Sequence, residues 1–146
     1  MNSMTRTTLT SSYVVLMSAD VAAAAAFYRD HFGYVNTFEA DWYVSLANGS
    51  HELAILDPTH ETIPEAYRGV TAQGVLLNLE VDDVDAVHED LIGRPGIEVV
   101  RSIRSEEFGQ RHFIVAGPDG VLIDVIQPIE PEGEYIEQFV DSAQTS

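Results

Sequence analysis
The pattern that most limits how this chain can fold is a repeat. Tyr13 to Met17 is an apolar run of strand length, and Ser18-Ala19-Asp20 ends it with a residue suited to cap a helix. The helix is expected to reach about His31, with Ala22, Ala23, Ala26 and Phe27 at helical spacing and Gly33 as a favoured C-terminal residue. Three strands follow: Tyr34 to Glu39, Trp42 to Leu46, and Glu52 to Leu56. Asn48-Gly49 between the last two is a strong hairpin signal. After a loop from Pro58 to Val70 the order restarts. Val75 to Val81 reads as a strand, Asp82 or Asp83 caps a helix through Leu91, and Gly93 to Gly96 closes it. Ile97 to Ile103, Arg111 to Val115 and Val121 to Gln127 supply three more strands. Asp20-Val21 is answered by Asp83-Val84, about 63 residues on. Asn48-Gly49 with Glu52 to Pro58 is answered by Asp119-Gly120 with Leu122 to Pro128, about 70 residues on.

The expected architecture is therefore α+β: two tandem βαβββ modules forming a curved mixed sheet with a concave ligand cavity. A single domain spans 1–146, with module one at 12–58, a linker at 59–72, module two at 73–128 and an acidic tail at 129–146. With 146 residues, 45% hydrophobic and 21% charged, the chain can bury a core and is not disordered in composition. It has no cysteine, which excludes a disulfide framework, a Cys-ligated metal and a thiolate nucleophile. Seven arginines and no lysine stand against 24 acids, a net charge of −17. Such a surface repels nucleic acid and attracts cations. Arg6, the run Tyr13 to Met17 and the alanines Ala22 to Ala26 together imitate a secretion signal, but Ser18 and Asp20 break the apolar stretch, and no apolar run approaches a membrane span. A cytoplasmic protein without membrane contact is expected.

Strand alternation sorts the side chains further. Val14, Leu16, Leu53 and Ile55 should cover the first helix, and Leu77, Leu79, Val81, Val121, Ile123 and Val125 the second. Tyr13, Val15 and Met17 then point away from the helix. A two-residue turn at Asn48-Gly49 makes Ser45 oppose Glu52 and Tyr43 oppose Ala54 on that same face. In module two, an even number of loop residues at Gly117 to Gly120 puts Phe113 and Val115 on the face of Asp124, with Arg111 further along and His112 toward the helix. An odd number reverses this. On the even count, the face away from the helices mixes Tyr13, Tyr43, Phe113, Asn78, Ser45, Glu52, Asp124 and Arg111, which suits a cavity lining.

These features carry a family resemblance. The paired βαβββ units, Ala19-Asp20-Val21 leading to Phe27-Tyr28-Arg29-Asp30-His31-Phe32-Gly33-Tyr34, and Phe108-Gly109-Gln110-Arg111-His112-Phe113-Ile114-Val115-Ala116-Gly117-Pro118-Asp119-Gly120 resemble the vicinal oxygen chelate superfamily over roughly residues 12 to 128. It includes glyoxalase I, extradiol dioxygenases, and fosfomycin- and bleomycin-resistance proteins. The resemblance implies a divalent metal whose ligand positions fall here on Tyr13, Ala54, Leu76 and Asp124. Only Asp124 is an ordinary oxygen donor, and one carboxylate cannot satisfy an ion that expects roughly four to six donors. None of His31, His51, His60, His88 and His112 has a convincing ligand spacing, and structural or exposed roles are expected for them; Glu52 with Asp124 is the one improvised alternative.

Without the metal positions, the resemblance is closest to the bleomycin-resistance branch: dimeric proteins that need no metal ion and sequester a drug. It implies no cofactor and no catalytic residue, a small-molecule ligand that is cationic or aromatic, such as a bleomycin-like or peptide antibiotic, and a homodimer. The expected ligand-binding residues are Tyr13, Met17, Tyr43, Glu52, Asn78, Phe108, Arg111, Phe113 and Asp124. Glu106 and Glu107 beside Phe108 offer charge and ring from one loop. The alternatives are a superfamily lyase, isomerase or dioxygenase with rearranged ligands or acid–base groups at Glu52 or Asp124, or a pathway carrier. The tail carries Glu130, Glu132, Glu134, Glu137 and Asp141, and its Tyr135, Ile136, Phe139 and Val140 suggest a short amphipathic helix docked on the body or on a second subunit.

Overall fold
A computed structural model describes residues 7–140, which leaves Arg6 and Asp141 outside the described part. The chain divides into two compact units, Met1–Ala72 and Gln73–Ser146. In the first, β1 (Val14–Met17) leads into α1 (Val21–Phe32), followed by β2 (Val35–Glu39), β3 (Tyr43–Asn48) and β4 (His51–Leu56). In the second, β5 (Leu76–Glu80) leads into α2 (Val84–Leu91), then β6 (Val99–Glu106), β7 (Gln110–Ala116) and β8 (Leu122–Pro128). The sheet orders are β1-β4-β3-β2 and β5-β8-β7-β6, so the two units share one topology, and each sheet is mixed because its first and last strands pair in parallel.

The repeat extends to single hydrogen bonds. Asp20 accepts from the Ala23 backbone N–H at 3.0 Å and Asp83 from that of Ala86 at 3.1 Å. Both caps hold nearly the same backbone angles, φ −136° and −139° with ψ 90° in each. Each carboxylate satisfies a donor that the first helical turn leaves free. In the strands, Val15 pairs with Ala54 and Asn78 with Asp124, the partners that offsets of about 63 and 70 require. Val21, Ala24, Ala25 and Tyr28 are the buried stripe of α1, and Leu16, Val44, Leu46, Leu53 and Ile55 are the apolar strand residues buried beneath it.

The two hairpins differ, and the difference decides which side chains share a face. In the first, Asn48 still pairs with His51, so the two loop residues are Gly49 and Ser50, not Asn48 and Gly49. Gly49 takes φ 60°, while the Asn48 side chain donates to the Phe32 carbonyl at 3.0 Å and secures the end of α1. The register moves by two residues: Ser45 faces Ala54, Tyr43 faces Leu56 and Ala47 faces Glu52. A shift of two preserves the faces. In the second hairpin the last pair is Ala116 with Leu122, which leaves residues 117–121 in the turn, an odd count. Asp119 adopts the left-handed conformation at φ 60° within it. The face assignment from an even loop is therefore corrected. His112 and Ile114 share the face of Asp124, and Arg111, Phe113 and Val115 lie on the side of α2.

The tail docks on its own unit. Ile129 N–H donates to the Gly109 carbonyl at 2.9 Å and Glu132 N–H to the Glu107 carbonyl at 2.8 Å. Gly133–Gln138 forms 3₁₀ turns in place of an amphipathic α-helix, and Tyr135 meets Phe108 edge to face with ring centroids 6.1 Å apart. Among the described residues, no helix is long and apolar enough to cross a membrane.

Candidate functional site
Two sheet faces carry the chemistry, one in each unit. On the first, Tyr13 precedes β1 and its phenol interacts with that of Tyr43 of β3. Its phenol is pushed above the ordinary tyrosine value, first by the charge of a neighbouring Tyr43 phenolate, then by their hydrogen bond, some desolvation and the Glu52 carboxylate. The Tyr13 hydroxyl thus stays neutral over the working pH range. Ser11 reaches Glu52 at 3.4 Å. Met17 lies half-buried at the end of β1, paired with Leu56, which in turn pairs with Tyr43.

The aromatic cluster around Tyr43 is larger than the sequence indicated. Phe38 of β2 lies 6.1 Å from Tyr43, and Trp42 lies 5.6 Å from it, centroid to centroid. Trp42 also stacks on His60, with centroids 3.8 Å apart and planes 9° from parallel. His60 is held there by its loop: Asp57 Oδ1 accepts from the Thr59 N–H and hydroxyl, both at 2.8 Å, and the Thr62 N–H donates to His60 Nδ1 at 3.2 Å. These bonds from Thr59 hold the Asp57 carboxyl below its usual range. Phe38, Trp42 and His60 were not among the expected site residues. A stack between a strand entry and a loop 18 residues away leaves no periodic trace in sequence.

On the second face, four side chains form a chain of charged contacts. His112 Nδ1 lies 2.7 Å from Asp124 Oδ1, and Nε2 lies 2.8 Å from Glu106 Oε2. Arg104 then grips Glu106 with two bonds, Nε to Oε2 at 2.8 Å and Nη2 to Oε1 at 3.0 Å. His112 and Asp124 are buried, and the Glu106 side chain is 15% exposed. Arg104 and then His112, as hydrogen-bond donors, lower the Glu106 carboxyl to about 2. His112 is thus a central residue of this face, contrary to the helix-facing expectation. It occupies the strand position that Tyr43 holds in the first unit, since each pairs with the residue two beyond Ala54 or Asp124.

The remaining expected residues separate. Asn78 is exposed and pairs with Asp124 across β5 and β8. Phe108 sits in the β6–β7 turn, 41% exposed. Arg111 lies on the helix side, where Nη2 bonds Asp85 of α2 at 2.8 Å. Phe113 is fully buried there, edge to face with His88 at 4.9 Å. Neither reaches the face of Asp124, because five loop residues reverse the parity. Glu106, expected to offer a ligand its charge, is already paired internally.

Comparison with known proteins accounts for the duplicated topology. A profile of the Glyoxalase/Bleomycin resistance protein/Dioxygenase superfamily matches residues 10–125. The chain belongs to this superfamily. No curated protein sequence matches it. Among solved structures of similar fold is a glyoxalase/bleomycin resistance protein/dioxygenase from Nocardioides, at TM-score 0.71 and 19% identity, covering 90% of each chain. A lactoylglutathione lyase from Agrobacterium tumefaciens follows at TM-score 0.61 and 25% identity, covering 79% of this chain and 90% of the lyase. A bleomycin-binding protein from Streptomyces verticillus, solved with copper(II)-bleomycin, matches at TM-score 0.54 and 20% identity over 88% of this chain and all of that one. The first and third, at such identity, show the shared fold.

The superfamily's divalent metal can be tested against the residues present. Of the four implied positions, Ala54 and Leu76 have no donor atom, Tyr13 offers one phenol beside Tyr43, and Asp124 Oδ1 is taken by His112. Both nitrogens of His112 face carboxylates, so neither is turned toward an ion. Among the described residues, no group of three or more acidic or histidine side chains converges on one point. The residues do not fit the metal.

Proposed function
We propose that this protein binds and sequesters a cationic or aromatic small molecule, an antibiotic of the bleomycin or peptide type, without a metal ion or other cofactor and without transforming it. The observation that carries this reading is the cluster of Tyr13, Tyr43 and Phe38 with Glu52 on one sheet face, with the Trp42 ring beside Tyr43 at the start of the strand. Rings of this kind hold planar groups and cations at about 1 kcal/mol each. A carboxylate about 4 Å from a cation contributes roughly 4 kcal/mol at an effective dielectric of 20, but Glu52 is exposed and its net share is nearer 1 kcal/mol. The net charge of −17 adds attraction at longer range. The bleomycin-binding neighbour supports the ligand class. In the same reading the protein works in the cytoplasm as a homodimer. An acid–base enzyme built on Asp124 has less support, because that carboxylate is committed to His112.

The test is calorimetric titration with metal-free bleomycin and with cationic peptide antibiotics, in excess chelator, at two salt concentrations. Trp42, the sole tryptophan, gives an independent optical signal. The expected result is saturable binding that weakens with salt, and about fivefold weaker binding in Glu52→Gln. Saturable binding by anionic compounds alone, or turnover of the bound compound, overturns the reading.

A further inference from the structure
Asp124, one of the four metal positions that the superfamily implies, is held by a histidine side chain. We propose that His112 takes the place of the divalent ion, cross-linking Asp124 of β8 to Glu106 of β6 through its two ring nitrogens, so that this face neither needs nor accepts a metal. The two contacts, 2.7 and 2.8 Å, are hydrogen bonds that give each carboxylate a partner, and all three side chains are largely removed from water. An ionised carboxylate only accepts, so two such contacts draw on both ring nitrogens as donors, which the imidazolium provides; a neutral ring donates once and leaves the second proton to a carboxyl. Arg104 supplies the remaining positive partner for Glu106 through paired bonds.

Geometry separates this arrangement from an emptied metal site. A zinc-sized ion holds oxygen ligands at about 2.1 Å, so two ligands of one ion stand no more than about 4 Å apart. An imidazole ring with a hydrogen bond at each end holds the two carboxylates farther apart than that. The ring is also part of the ladder: His112 pairs with Arg104 on one side and Ile126 on the other, so the cross-link spans β6, β7 and β8. A metal at the implied positions would need donors from Ala54 and Leu76, which supply none.

The inference concerns the second unit alone, and its test uses no organic ligand, so its failure is distinguishable from failure of the binding reading above. Zn²⁺ and free imidazole are titrated separately into the full chain and into His112→Ala, with calorimetry and thermal melting as readouts. The wild-type protein is expected to show no stoichiometric Zn²⁺ site and no shift in melting with either probe. His112→Ala is expected to melt lower and to gain at least tenfold in affinity for Zn²⁺ or imidazole, with part of the melting loss restored. In His112→Ala/Asp124→Asn that gain disappears, which separates it from loose binding to surface acids. His112→Asn, smaller than histidine yet polar, replaces the alanine variant if that chain does not fold. Tight one-to-one Zn²⁺ binding by the wild type that depends on Asp124 overturns the inference. So does a folded variant as indifferent to both probes as the wild type.

Discussion

The Trp42 indole and the His60 imidazole lie face to face, 3.8 Å between centroids and 9° from parallel, although one enters β3 and the other belongs to the loop after β4. The backbone around them is tied down, since Asp57 N–H bonds the Trp42 carbonyl at 2.9 Å and His60 N–H the Asp57 carbonyl at 3.1 Å. The stack is thus held from both sides, and it shields one face of an indole that is 37% exposed overall. Removing the ring in His60→Ala is expected to shift Trp42 emission to longer wavelength and to increase its quenching by acrylamide. With a single tryptophan in the chain, the signal has one source. Unchanged emission and quenching would show that the stack does not persist in solution.

His112 predicts the largest single loss of stability among the residues of the two faces. Its removal leaves Asp124 buried with the His112 contact gone and Glu106 with Arg104 alone. Leaving a buried carboxyl without its hydrogen-bond partner costs roughly 1 to 3 kcal/mol, and more where the group is charged. By contrast Arg111→Ala, which breaks a pair with the exposed Asp85, should cost much less. Urea denaturation of both variants measures the difference. Equal losses would mean that the His112 contacts contribute no more than a surface ion pair.

These two residues also show what the sequence made legible. The duplication, both helix caps, the order of elements along each half and the shared face of Asn78 and Asp124 follow from apolar spacing and turn residues, which act locally. The position of His112 turns on one residue of loop length. Gly117 N–H closes on the Val121 carbonyl at 2.7 Å around Pro118, Asp119 and Gly120, and composition does not distinguish that closure from one of even count. Because strand side chains alternate, this small ambiguity exchanged His112 for Phe113 and Arg111. In the first hairpin the misread register was two residues, and Tyr43 and Glu52 kept their face. The stack of Trp42 on His60 had no local signal at all.

Glu106 gives a pH dependence with a definite sign. Its carboxyl falls from an ordinary 4.5 to about 2, chiefly through the Arg104 hydrogen bonds and then that of His112. A group lowered on folding stabilises the native state fully above its unfolded value and loses that contribution as pH falls through the folded one. The stability difference between wild type and Glu106→Gln is therefore expected to be constant above about pH 5.5, near 2 kcal/mol by the usual worth of charge-assisted bonds, and to shrink toward zero by about pH 2. Denaturation series across this range measure it. A difference that grows on acidification contradicts the assignment.

The turn that sets the parity of the second face can itself be perturbed. A Cβ on Gly117 would meet Ile123 Cδ1 at 2.8 Å and the Val121 carbonyl at 3.0 Å. The first is a buried side chain of the core and the second is the acceptor that closes the turn, so neither gives way freely. Gly117→Ala is expected to cost about 1 to 3 kcal/mol, the range of overpacking a dense interior. The damage should concentrate on the β7–β8 pairing, because the turn connects these strands. Amide exchange is expected to quicken at His112 to Ala116 and Leu122 to Ile126 while Tyr43 to Leu56 in the first unit stays protected. Exchange that rises equally in both units would instead mean that the turn affects only global stability and does not fix the local register on which the Asp124 face depends.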